Sequence, residues 1–167
     1  MKVRFKITTA LLASIRNDLQ RRHPLAHERV GFISAGLSAC GSDLLVLARG
    51  YRPVRDDEYL RDPSVGAMMG ADAIRGALQW AMQDGVALFH VHTHGGRGIP
   101  SFSPIDLREN SKFVPDLLKV APQRAHGAIV LSDTAGQGLV WFDRSQSPHV
   151  IASFVEVGAP LRKWSVV

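Results

Sequence analysis

The sequence predicts a single mixed α/β domain of the α+β kind, with many strands and about three helices. Three observations predict it. Val3, Phe5 and Ile7 alternate with Lys2, Arg4 and Lys6, the period of a strand with one buried face. Leu11, Leu12, Ile15 and Leu19, and later Ile74, Leu78 and Met82, recur at helical spacing. The 167 residues contain no repeat, no low-complexity tract and no linker, so residues 1–167 read as one domain.

Taken in order, Thr8 or Thr9 caps a first helix that runs to about His23-Pro24. Val30 to Ser34 and Leu44 to Ala48 read as strands, joined as a hairpin through the glycines and polar residues between them. Tyr51 to Val65 is irregular, with Pro53, Pro63 and clustered charges. A second helix begins at Met69 or Gly70 and runs to Gln83, ended by Gly85. Val86 to His94 is a strand, followed by the loop Gly95-Gly96-Arg97-Gly98. A third helix starts at Ser103-Pro104 and runs to about Leu118, kinked or shortened by Pro115. Gly127 to Leu131, Leu139 to Phe142 and His149 to Val157 are strands, and Leu161 to Val167 is the tail.

Composition narrows the function. With 46% hydrophobic and 21% charged residues the chain is an ordinary globular one, which excludes wholesale disorder. The 20 basic residues exceed the 15 acidic ones, yet acids such as Asp56, Asp57 and Glu58 break up the charge, and no long run of like charge forms. That pattern speaks against a dedicated nucleic-acid surface and suits at most the steering of an acidic partner. Cys40 is the one cysteine, so no internal disulfide forms; this fits a reducing, cytoplasmic setting. No apolar stretch is long enough to span a membrane. A strand running into an amphipathic helix accounts for the amino end better than a cleaved leader does.

The chemistry concentrates in two places. His90, His92 and His94 alternate along one strand and project their imidazoles from one face into a small volume, where neutral imidazole nitrogens suit zinc. The segment Ser103-Pro104-Ile105-Asp106 reads as a helix start with a capping box, Asp standing where Glu or Gln is usual. It also brings the Asp106 carboxylate toward the preceding strand and loop as a third ligand. Three protein ligands and one open position make a catalytic rather than a structural zinc site. Glu28, at the start of the apolar strand that begins near Val30, is the best candidate for the base such a site requires.

Glu28, then His92-Thr93-His94, then Ser103-Pro104-Ile105-Asp106 resembles the JAMM (JAB, MPN+) signature of zinc metalloproteases, a distant Glu followed by His-x-His and Ser-x-x-Asp. The likeness in element order covers roughly residues 1–140. Two departures stand out. Residues 95 to 102 number eight, one more than the family's usual spacing, and Gly95 replaces the family's proline. The alternative pair His90 and His92 would lengthen the spacing further, so His92 and His94 are the expected ligands and His90 stands one step behind them.

The resemblance implies an MPN/JAB-like fold, a central curved mixed sheet flanked by about three helices. It implies Zn2+ held by His92, His94 and Asp106, Glu28 as general base and Ser103 as hydrogen-bond donor to the oxyanion. The expected substrate is a ubiquitin-like protein or its conjugate, hydrolysed after the C-terminal glycine. Processing of a sulfur-carrier tail, small-peptide hydrolysis and a non-catalytic MPN scaffold are the other readings. A DNA-repair-associated relative draws only slight support from the basic charge. Phe102, Trp80 and the Tyr51–Val65 segment are candidates for framing a substrate groove. The modifier and the oligomeric state are not legible.

Overall fold

The computed structural model describes residues 1–144 and 147–165. In chain order it comprises β1 (Val3–Thr8), α1 (Thr9–Leu19), β2 (Val30–Cys40), β3 (Asp43–Pro53), a 3-10 turn at Asp56–Glu58, β4 (Tyr59–Leu60) and β5 (Met68–Met69). Then come α2 (Ala71–Asp84), β6 (Ala87–Thr93), α3 (Pro104–Val120), β7 (His126–Leu131), β8 (Gly136–Trp141), β9 (His149–Val157) and β10 (Arg162–Ser165). Val166 and Val167, the end of the expected tail, lie outside the described residues, as does the Cys40 side chain.

The main sheet runs β1-β3-β2-β6-β7-β8-β9-β10, and β1 also pairs with β9. That parallel pairing extends from Val3↔Ile151 to Thr8↔Val157, so seven strands close into a barrel and β10 adds to β9 outside the ring. The expected MPN/JAB-like central curved mixed sheet flanked by about three helices is thereby corrected: the sheet closes into a barrel. The physical reason is that β1 finds partners on both edges. Its alternation shows a buried face, but the pattern is the same whether the strand lies at an edge or closes a ring.

One apolar set fills the barrel: Phe5, Ile33, Phe89, Val91, Ile129 and Phe154 are all buried. Phe5 meets Phe89 and Phe154 at ring-centroid distances of 5.7 and 5.4 Å. Helix α1, capped by the Thr8 hydroxyl, adds Leu12, Ile15 and Leu19 to this same core. Its Arg16 reaches the Ser132 carbonyl beyond β7 at 3.3 Å, so the helix crosses a barrel mouth. The opposite faces of β2 and β6 present Phe32 and Leu88 to Ala77 and Ala81 of α2 and Leu117 of α3. Helix α3 continues past Pro115 to Val120 because Val114, Leu117 and Leu118 are buried on both sides of it, a gain that outweighs the roughly 3 kcal/mol a helical proline costs.

Strands β2 and β3 outrun their expected lengths. Residues 35–40, mostly small, read as hairpin, yet they pair from Ala35↔Ala48 to Cys40↔Asp43. The turn shrinks to Gly41-Ser42, where Gly41 takes φ 59°. No described helix is long and apolar enough to cross a membrane.

His126 opens β7 at 0% exposure. Its Nδ1 accepts from the Leu88 N–H at 3.1 Å and its Nε2 lies 3.1 Å from the Ala121 carbonyl, which fixes a neutral tautomer. Burial pushes this imidazole down to about 4 from its usual 6.5. The unfolded chain therefore binds the extra proton first. The contribution is complete above about pH 6.5, falls as pH drops toward about 4, and amounts to on the order of 3 kcal/mol. Urea midpoints are expected to decline across that window, and a His126→Gln variant is expected to show a shallower decline.

Candidate metal centre

Strand β6 alternates its faces. Phe89 and Val91 point into the barrel, so His90 and His92 point outward, beneath α3. His94 follows two residues on, just past the strand end, where its backbone N–H donates to the Leu131 carbonyl at 2.9 Å. The glycine loop beyond is tied to the β7–β8 turn, since the Ser132 hydroxyl donates to the Gly98 carbonyl at 2.6 Å and the Asp133 N–H to that of Gly96 at 3.0 Å. Gly96 and Gly98 adopt φ 99° and 92°, left-handed values that glycine permits.

The chain re-enters at the start of α3 through a reciprocal capping box. The Ser103 hydroxyl accepts from the Asp106 N–H at 3.1 Å, and Asp106 Oδ2 accepts from the Ser103 N–H at 2.7 Å. This cap aims Asp106 back at β6. Glu28 arrives from the other side, because β2 pairs antiparallel to β6 with Val30 opposite His92. Two residues before Val30, Glu28 therefore falls near His94. The N–H groups of His27 and Glu28 both donate to the Gly66 carbonyl, at 2.8 and 3.0 Å.

The resulting distances would suit a metal ion. His92 Nε2 and His94 Nε2 are 3.2 Å apart, and each lies 3.4 Å from Asp106 Oδ2. A tetrahedron with metal–ligand bonds of about 2.0–2.1 Å has edges of about 3.3 Å, so the three atoms match one face of a zinc tetrahedron. The ligand atoms of Glu28, His92 and His94 lie within 4.8 Å of one another, with Glu28 Oε1 4.0 Å from His94 Nε2. That is longer than a tetrahedral edge and leaves Glu28 beside the ligand triangle.

Electrostatics agree with this geometry. Burial works to raise the Asp106 carboxyl, but the contacts with His92 and Ser103 outweigh it and hold the group well below the usual carboxylate range. Asp106 is thus an anion wherever the protein is folded near neutrality. His92 is 2% exposed, and its Nδ1 is buried without a hydrogen-bond partner. The donor set, two neutral-capable imidazoles and a carboxylate, fits zinc.

His90 stands behind this set. Its ring stacks on His92 at 5.7 Å and touches Phe32 and Phe113, and both nitrogens are buried, with the Asn110 side chain beside the ring. Burial first, and then the neighbouring His92, push it down to about 3, so it is a neutral packing group.

A groove of about 550 Å³ opens onto Glu28, His92 and Asp106. The 62–69 segment forms one wall and Arg108, Lys112 and Phe113 of α3 another. Asp62, Ser64 and Val65 of the expected framing segment line it; Phe102 and Trp80 are not among its lining residues. Phe102 instead packs 6.1 Å from the His92 ring, and Trp80 lies under the Arg52 guanidinium at 4.2 Å. Sequence reasoning missed Gly66. A Cβ there would sit 2.6 Å from the Glu28 carboxyl carbon, so a larger residue at 66 would push the Glu28 side-chain end aside. Nothing local in the sequence marks that contact.

Barrel and site together define a class of protein: a β-barrel carrying a His-His-Asp triangle with a carboxylate beside it. No protein-family model matches the chain, and no curated protein does. Among solved structures it is similar to the Trichoplax adhaerens STIL N-terminal domain, at 10% identity and a TM-score of 0.39. The match covers 80% of this chain but 39% of that one, and a likeness this loose carries no argument about either fold or function.

Proposed function

We propose that this chain is a zinc-dependent peptidase or isopeptidase of the JAMM type, cutting after the C-terminal glycine of a ubiquitin-like protein. The observation that carries the reading is the triangle of His92, His94 and Asp106, with edges of 3.2, 3.4 and 3.4 Å, flanked by Glu28. A cytoplasmic setting belongs to the same proposal.

His92 Nε2, His94 Nε2 and Asp106 Oδ2 would hold the metal. When bound, zinc lowers the pKa of a coordinated water to about 7 and polarises a carbonyl. Glu28 Oε1 would take a proton from the attacking water and return it to the leaving amine. Ser103 can serve both as cap and as donor. Its oxygen accepts from the Asp106 N–H and its hydroxyl also bonds to the Asp106 carboxylate, so its proton would turn from that carboxylate to the oxyanion. The groove between the 62–69 segment and α3 would receive the extended glycine tail.

The test is incubation of the zinc-loaded protein with several ubiquitin-like proteins, each carrying a C-terminal extension. Release of the extension after the terminal glycine, abolished by a chelator, is expected. Absence of cleavage from all of them would overturn the peptidase reading and favour a non-catalytic scaffold.

A further inference from the structure

Glu28 belongs to residues 20–29, which join α1 to β2 with no helix or strand before Val30. A single imidazole organises this stretch. His23 Nδ1 accepts from the backbone N–H groups of Leu25 and Ala26, at 3.1 and 3.0 Å. Its Nε2 faces the Asp56 carbonyl at 3.2 Å, and the ring lies on Tyr59 at 4.3 Å between centroids. The Tyr59 hydroxyl in turn bonds to the N–H of Val30, at 2.9 Å, two residues beyond Glu28. Next to Glu28, the buried Arg29 donates to the carbonyls of Arg21 and Arg22 and pairs with Asp56 at 2.8 Å. The backbone on both sides of Glu28 is thus tied to the Asp56–Tyr59 segment.

Two N–H groups converge on Nδ1, and the partner of Nε2 is an acceptor. Only the neutral tautomer protonated at Nε2 satisfies all three contacts; an imidazolium would direct a proton at two donors. We propose that His23 is a positioning residue for Glu28: its neutral ring sets the turn that carries the base, and its protonation releases that turn. This rests on Glu28 being the base, as read above.

Asp56 and Tyr59 face the ring, and Arg29, Arg21 and His23 act on the Asp56 carboxylate. The Arg29 guanidinium engages the Asp56 carboxylate and holds it below the usual carboxylate range.

The test follows backbone amide resonances of the full chain from about pH 8 to about pH 5, the interval over which imidazoles change charge. The Leu25 and Ala26 signals are expected to move with the His23 ring, and Glu28 with them. In His23→Asn the part of that movement that tracks the His23 ring should vanish, leaving only what the neighbouring His27 and His94 produce, because a carboxamide oxygen accepts from the N–H two residues on and does not titrate. A Glu28 signal that does not follow the ring, or that moves equally in His23→Asn, would overturn the proposal. In hydrolysis assays, His23→Ala should lower kcat up to about 100-fold with KM little changed, as misplacement of a catalytic group does. His23→Asn should recover most of that loss and flatten the acidic limb. If the native chain hydrolyses nothing, the base reading fails while the amide titration still decides the role of His23. Should His23→Ala not fold, His23→Asn carries the comparison alone.

Discussion

Replacing Glu28 by glutamine is expected to slow hydrolysis by about 10²–10⁴-fold, the usual worth of a positioned general base, while zinc stays bound. The substitution keeps the size of the side chain and removes its capacity to accept a proton. Metal retention follows from the geometry: the 3.2–3.4 Å triangle is made by His92, His94 and Asp106 alone, and Glu28 approaches it no closer than 4.0 Å from His94 Nε2. The measurement pairs kcat with bound zinc on the same preparations. An unchanged kcat would remove Glu28 from the mechanism. Loss of zinc together with activity would make Glu28 a ligand and not a base.

The largest stability effect is expected at Gly127. An added Cβ would overlap the Leu139 carbonyl oxygen of the paired strand and lie 2.7 Å from two ring carbons of Phe89. Neither neighbour can move away. Leu139 lies opposite Ala128 in the β7–β8 ladder, and Phe89 is a 0%-exposed member of the barrel core. Gly127→Ala should therefore cost about 3 kcal/mol, the upper part of the range for overpacking, read as a lower urea midpoint with an unchanged slope. Gly76 is the control. A Cβ there meets nothing within 4 Å, and alanine in the middle of α2 should stabilise by up to about 1 kcal/mol. Equal midpoints for the two variants would contradict the packing described here.

How much of this was legible in the sequence depends on the range of each interaction. His92, His94, Ser103 and Asp106 fall within fifteen residues of one another, so strand alternation and helix capping suffice to converge them. Both devices act locally and both are present in the fold. Glu28 could be placed only because an apolar strand follows it, and its position opposite His94 comes from a β2–β6 register that no local pattern encodes.

Closure of the barrel is less visible still. It depends on β1 pairing with β9 almost a whole chain length away, and Val3, Phe5 and Ile7 would alternate identically at an open edge. The second half of β2 is a different case. Gly36, Ser38 and Ala39 have little preference for strands, and pairing with β3 overrides it. Gly66 escaped notice because the side chain it lies against is 38 positions away.

The most direct test of the central claim is the zinc content of purified protein. Metal analysis should find close to one zinc per chain in the native protein, and both His92→Ala and Asp106→Ala should lose it, since each removes one corner of the triangle and one of three bonds. Native protein that takes up no zinc, or full zinc occupancy in both variants, would contradict the site.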